Sequence, residues 1–248
     1  MTIKEFFEKN NKVAIAFSGG VDSAYLLYAA LQYAKEVSAY YVKTTFQPQF
    51  EFDDAMRLAD ELKADVSVIR LDVLKDCTVT ANPANRCYYC KQNIFGSILE
   101  SAKADGFTTL LDGTNASDDA GDRPGMKALE EMHVLSPLRL CGLTKDEIRR
   151  RSKEAGLFTW DKPAYACLAT RIPTGQAITA EALRRTELAE DYMFSLGFTD
   201  FRVRTIGNTA KIQVTAKDFP LAITHKEKLV EELKKYYSSV CLDLEVRP

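Results

Sequence analysis

The sequence predicts an α/β protein, a mostly parallel and doubly wound sheet followed by a small α+β domain. Over the first two-thirds of the chain, short apolar strands alternate with helix-length amphipathic stretches. The strands near residues 13–17 and 108–112 both run into loops rich in Ser, Gly and Asp. Beyond about residue 178 the order changes to helix, hairpin, helix and strand, so the domains are expected at 1–177 and 178–248.

The elements follow in order. The opening MTIKEFFEKNNK is a short, charged amphipathic stretch without a signal-peptide core. KVAIAF (12–17) reads as a buried strand and AYLLYAALQYA (24–34) as a helix. VSAYYVKTTF (37–46) is a second strand, EFDDAMRLADELKA (51–64) a helix, and DVSVIRLD (65–72) an alternating strand. CKQNIFGSILESAKADG (90–106) is a helix stopped by Gly106, and TTLLDGTN (108–115) a fourth strand entering a polar loop. Ligands of such sheets bind beyond the carboxyl ends of the strands. From residue 116 to 175 the pattern loosens around one helix, TKDEIRRRSKEAG, capped by Thr144, and the Pro-rich DKPAYACLATRIPTG. The last part opens with helix 179–197, capped by Thr179. Strand FRVRTI, turn GN, strand TAKIQV, a helix near 225–236 and strand SVCLDLEV follow.

Composition narrows the function. The 248 residues are 46% hydrophobic and 27% charged, as in soluble globular proteins, and no apolar run nears the ~20 residues that span a bilayer. No membrane partner is therefore expected, and a cytoplasmic location is. The net charge of −2 argues against nucleic acid as main partner, because such binding rests on cationic surface. A homo-oligomer is expected. The six cysteines suit thiolate or metal chemistry better than a disulfide scaffold.

Strand, then Ser18-Gly19-Gly20-Val21-Asp22-Ser23, then helix is the order of an anion cradle. Glycines admit close backbone approach, and N–H groups at a helix start favour negative charge. No Gly-Lys-Ser/Thr follows, so the loop is not a Walker loop. It resembles the PP-loop of the ATP pyrophosphatases. That resemblance implies ATP with its pyrophosphate over Ser18–Ser23, Asp22 as a Mg²⁺ ligand, and adenylation of a substrate oxygen. It extends the ATP contacts to Ala16 and Phe17, to the backbone near Val42 and Lys43, and to Gly113 in LDGTNASDD.

NPANRCYYCK holds Cys87 and Cys90 as C-x-x-C at a helix start, and AYACLATR holds Cys167. A redox pair, half a zinc site or two small apolar side chains remain open for the pair alone. Three thiolates suit a [4Fe–4S] cluster with one open iron, able to hold hydrosulfide. Cys77, Cys141 and Cys241 lie in apolar contexts and are expected in the core, Cys77 as a reserve ligand. His133 and His225 lack metal-ligand spacing.

The segments AFSGGVDSAYLL, LDGTNASDD, DRPGMKA, KPAYACLATRIPTG, AEDYMFSLGF and RVR together resemble the LarE-type ATP-dependent sulfur transferases of nickel-pincer nucleotide biosynthesis. The resemblance implies adenylation of a carboxylate of pyridinium-3,5-biscarboxylic acid mononucleotide and replacement of AMP by sulfur. The three cysteines point to the subgroup that carries sulfide on a [4Fe–4S] cluster, with sulfide or a sulfur donor as partner. A sacrificial Cys167 is the other mode.

Arg202 and Arg204 alternate on FRVRTI and so share a face on which two guanidiniums can fork a phosphate. Together with Glu190 they match the family's substrate pocket, and Thr170 and Arg171 are further candidates. Asp122 and Arg123 are expected to order a loop over the site. The alternatives are a tRNA thiolation enzyme, a PP-loop amidating ligase and a non-enzymatic nucleotide- or metal-binding regulator.

Overall fold

The structure, a computed structural model, describes residues 1–118 and 124–247. The chain divides into two compact units. The first is Met1–Val73 with Asn85–Ala164, and the second is Leu74–Ala84 with Tyr165–Pro248. In chain order the elements begin with α1 (Ile3–Lys9), β1 (Lys12–Ala16), α2 (Val21–Tyr33), β2 (Glu36–Lys43), α3 (Gln49–Leu62) and β3 (Val66–Arg70). Next come α4 (Cys77–Thr80), α5 (Arg86–Ala104), β4 (Leu110–Leu111), α6 (Pro124–Glu131), α7 (Pro137–Leu140) and α8 (Lys145–Glu154). The chain ends with α9 (Ala180–Ser195), β5 (Phe201–Ile206), β6 (Thr209–Val214), α10 (Phe219–Thr224), α11 (Lys226–Leu233) and β7 (Ser239–Leu242).

The sheet of the first unit is parallel throughout, in the order β3-β2-β1-β4. Its apolar runs are continuous because both faces are covered. Val13, Ile15 and Tyr41 pack on one side with Leu26, Leu27 and Leu58. Ala14, Tyr40 and Val42, one residue out of step, pack on the other with Phe95, Ile98 and Leu129. Full burial of a Leu or Phe side chain contributes about 1.5–3 kcal/mol. The opening stretch forms α1, started by a capping box between Thr2 and Glu5 that leaves Phe6 and Phe7 buried.

Several elements differ from the sequence reading. The fourth strand is only Leu110–Leu111, because Asp112 N–H turns to Leu135 O at 2.9 Å instead of continuing along β1. Helix α5 starts at Arg86, which brings both Cys87 and Cys90 onto it. The helix expected near 225–236 is α11, and a further short helix, α10, precedes it with His225 as the joint.

The second unit holds a three-stranded sheet in the order β5-β6-β7. Strands β5 and β6 form an antiparallel hairpin at Gly207 (φ 56°), and β7 runs parallel to β6. Phe198, Phe201, Val203 and Ile212 pack with Met193 of α9 and Leu233 of α11. The segment around α4 is tied in through Ile178 N–H to Thr80 O at 2.8 Å and Gly175 N–H to Asn82 O at 2.9 Å. Among the described residues, no helix is long and apolar enough to cross a membrane.

Candidate functional site

Two glycines, Gly19 in the loop after β1 and Gly113 in the loop after β4, allow close approach at the start of α2. Gly19 has φ +75°, and a methyl group there would lie 2.6 Å from Ala55 Cβ of α3. A methyl at Gly113, after β4, would lie 3.0 Å from Ser23 N, so this loop closes onto the start of α2. Gly20 caps α2 without a side chain, which leaves the first N–H groups of the helix to meet an anion.

Ser23 is buried and organises the loop. Its hydroxyl donates to Gly20 O at 3.1 Å and accepts Ser18 N–H at 3.2 Å, with the Ser18 hydroxyl 3.0 Å away. With its one proton committed to Gly20, Ser23 is a brace for the loop rather than a donor to a ligand.

A cavity of about 340 Å³ opens beyond the carboxyl ends of β1, β2 and β4, within the size range of small-molecule sites. Of the residues expected around ATP, Ala16, Phe17, Ser18, Gly20, Asp22, Ser23, Val42 and Gly113 line it. Gly19, Val21 and Lys43 do not, and Lys43 instead donates to Gln47 O at 3.0 Å and Pro48 O at 3.3 Å. Tyr40, Val42, Phe95 and Ile98 make an apolar side. Ser18, Gly20, Gly113 and Thr114 make a polar one.

At the polar side Asp22 Oδ2 accepts from Lys145 Nζ at 2.5 Å. Asp22 Oδ1 is buried and accepts no hydrogen bond. Burial raises this carboxyl above its usual range, and Lys145 opposes the rise. One buried, unsatisfied carboxylate oxygen beside a phosphate cradle fits Mg²⁺, which is commonly bound by one or two carboxylates plus substrate phosphates.

Lys145 escaped the sequence reading, although a signal was present. It is the first residue of α8, where the helix dipole disfavours a cation, so its place there called for another partner. Asp112 is spoken for, accepting from the hydroxyls of Ser136 at 2.6 Å and of Thr114. Lys91 is a second missed residue. It lines the cavity from α5, and burial pulls its amine below the usual lysine range against the attraction of Asp112, Cys87, Asp118 and Cys90.

The cysteines overturn one expectation. Among the described residues no group of three or more His, Cys, Asp or Glu side chains converges to hold a metal. Cys87 and Cys90 lie at the start of α5 in the first unit, whereas Cys167 belongs to the second and caps a one-turn 3₁₀ helix, Leu168–Arg171. The [4Fe–4S] cluster on Cys87, Cys90 and Cys167 is therefore not supported. Nor are the three-cysteine subgroup and the nickel-pincer route built on sulfide carried by that cluster. Cys77 and Cys241 are exposed, not core, because one starts the short helix α4 and the other points outward from β7. Cys141 is half-buried.

In the second unit Arg171 and Glu190 are 0% and 1% exposed and pair with each other, Arg171 Nε to Glu190 Oε1 at 2.8 Å and Nη2 to Oε2 at 3.0 Å. Glu190 also accepts Val203 N–H at 2.8 Å and the Tyr165 hydroxyl. Arg171 Nη1 donates to Ala166 O and Thr170 Oγ1, both at 2.8 Å, so the segment carrying Cys167 is wound around this guanidinium. Arg204 donates to Thr170 O and to Gln213 Oε1, the latter at 2.8 Å. Burial, Arg171 and Arg247 push Arg202 down to about 10, the mark of a crowded cationic cluster. Asp122 and Arg123 lie outside the described residues.

Residues 12–93 match the family of queuosine biosynthesis protein QueC. An uncharacterized protein of Synechocystis sp. is 34% identical over 98% of this chain and 92% of its own length. The pyridinium-3,5-bisthiocarboxylic acid mononucleotide synthase of Lactiplantibacillus plantarum is 32% identical over 94% of this chain and 86% of its own. The tRNA-specific 2-thiouridylase MnmA of Thermotoga petrophila is 27% identical over 61% of this chain and 54% of its own.

Proposed function

Because the chain belongs to the LarE/QueC-like sulfurtransferase family of PP-loop ATPases, we propose that its first unit binds MgATP and transfers AMP to an oxygen of a small-molecule acceptor. The observation that carries this reading is the pairing of the braced Ser18–Ser23 loop with the unsatisfied Oδ1 of Asp22 at one cavity. Adenosine occupies the apolar side against Tyr40, Val42 and Phe95, and pyrophosphate lies over the N–H groups at the start of α2. Asp22 would hold a magnesium ion there, which when bound would supply charge to offset the leaving pyrophosphate. Lys145 keeps Asp22 ionised against its burial.

In the first step an acceptor oxygen bonds to the α-phosphorus while the bond to pyrophosphate breaks. In the second a sulfur nucleophile bonds to the activated carbon, the C–O bond breaks and AMP leaves. Sulfur is supported by the relatives, whose names describe a bisthiocarboxylic acid and a thiouridine. Arg202 and Arg204, two cations of the second unit crowded by Arg171 and Arg247, are assigned to an anionic group of the acceptor. Thr170, Arg171 and Glu190 act on that group through the packing of Arg204 and the Cys167 segment.

The test is product identity. The protein is incubated with α-labelled MgATP and a panel of acceptors that includes carboxylated pyridine nucleotides and, as a contrast, tRNA. AMP and pyrophosphate in equal amounts are expected with a small-molecule acceptor. Asp22→Asn is expected to slow their release about 100-fold or more, the scale of losing a charged group at a reacting phosphate. ADP and phosphate as products would overturn the reading, as would turnover with tRNA alone.

A further inference from the structure

We infer that Lys91 binds the α-phosphate of the nucleotide, and that it is the cation against which the reacting phosphate is held in the first unit's cavity. This assignment rests on the MgATP reading above. On α5, Lys91, Ile94, Phe95 and Ile98 recur at helical spacing, and all four line the cavity. The apolar three face the part of the site assigned to adenosine, and Lys91 comes one turn earlier, at the end nearest the start of the helix. The apolar-to-cationic change along this face follows the order nucleoside, then phosphate.

The other charges of the cavity leave the position to Lys91. Among the described residues it is the cation that lines the cavity, since Lys145 is turned to Asp22 at 2.5 Å. Among the described residues, the carboxylates that attract Lys91 make no direct hydrogen bond to it. Asp112 accepts from two hydroxyls, and Asp118 Oδ2 accepts Asn115 N–H at 2.9 Å. A partly buried ammonium in salt-bridge contact with none of the described carboxylates is costly unless an anion arrives.

The side chain is also guided. A methyl group at Gly125 of α6 would lie 3.0 Å from Lys91 Cδ and 3.1 Å from Cε, so the bare glycine leaves room for the stem. Nζ itself lies over the ring of Phe95, 6.0 Å from its centroid. Packing on both sides limits the freedom that the ammonium loses when it takes a ligand.

A ladder of nucleotides tests the assignment without any acceptor. Affinities for adenosine, AMP, MgADP and MgATP are measured by calorimetry for the wild-type protein and for Lys91→Met, Lys91→Gln and Lys91→Arg. Lys91→Met is expected to weaken AMP and MgATP by the same factor, about tenfold or more, and to leave adenosine unchanged. Lys91→Arg is expected to stay within about threefold of the wild type, because the charge is kept. Lys91→Gln repeats the measurement with a polar side chain should Lys91→Met fail to fold. A loss confined to MgADP and MgATP would place Lys91 on the β- or γ-phosphate and overturn the assignment. An equal loss for adenosine, or no loss at all, would also overturn it. Wild-type protein that binds MgATP no more tightly than adenosine would instead overturn the nucleotide reading itself.

Discussion

Gly19 and Gly20 are neighbours in sequence but not in what they require. Gly19 holds φ +75° and leaves no room for a methyl beside Ala55, whereas a methyl at Gly20 would meet only Ser18 Oγ, at 3.6 Å. Gly19→Ala is therefore expected to lower stability by about 2 kcal/mol or more, and Gly20→Ala by less than about 1 kcal/mol, in urea unfolding. Equal losses would mean that the loop is not held against α3 as described. At this scale much of the site was legible, because Ser18–Ser23 carries its chemistry in consecutive residues. What the sequence hid were partners made by the fold. The Asp22–Lys145 pair joins residues 123 positions apart. Arg171 and Glu190 look like pocket residues in sequence, yet in the structure they satisfy each other inside the second unit.

Helix α8 shows how an element can be fully readable while its most important residue is not. Thr144 caps it, accepting Glu147 N–H at 3.3 Å, as the sequence predicts. On its surface Glu147 bridges Arg150 at 2.7 Å and Arg151 at 2.6 Å, and these two guanidiniums hold its carboxyl down at about 2. A carboxyl lowered in the folded state stabilises the fold above its unfolded range, and loses that contribution as pH falls toward the folded value. Glu147→Gln is thus expected to melt below the wild type at pH 7, the gap narrowing from about pH 4 and closing near pH 2. A gap that persists unchanged at pH 2 would contradict the ion-pair account. The cysteines mark the opposite limit. C-x-x-C spacing on α5 was visible in the sequence, but whether Cys167 joined it depended on the division into units, which no local pattern encodes.

For the whole molecule, alternating strands and helices give the parallel sheet, and the helix–hairpin–helix–strand order gives the smaller β5-β6-β7 sheet. The first unit concentrates what binding a nucleotide demands: helix-start N–H groups, two close-approach glycines, an unsatisfied carboxylate oxygen and an apolar wall. The second concentrates arginines around a short segment bearing a thiol. The most direct test of MgATP binding by the first unit is amide hydrogen exchange of the whole chain with and without MgATP. Exchange is expected to slow over residues 18–24 and 112–115 and to lose that protection without Mg²⁺ or in Asp22→Asn, with the β5-β6 hairpin unchanged. Unchanged exchange over 18–24, or protection confined to the hairpin, would contradict that binding.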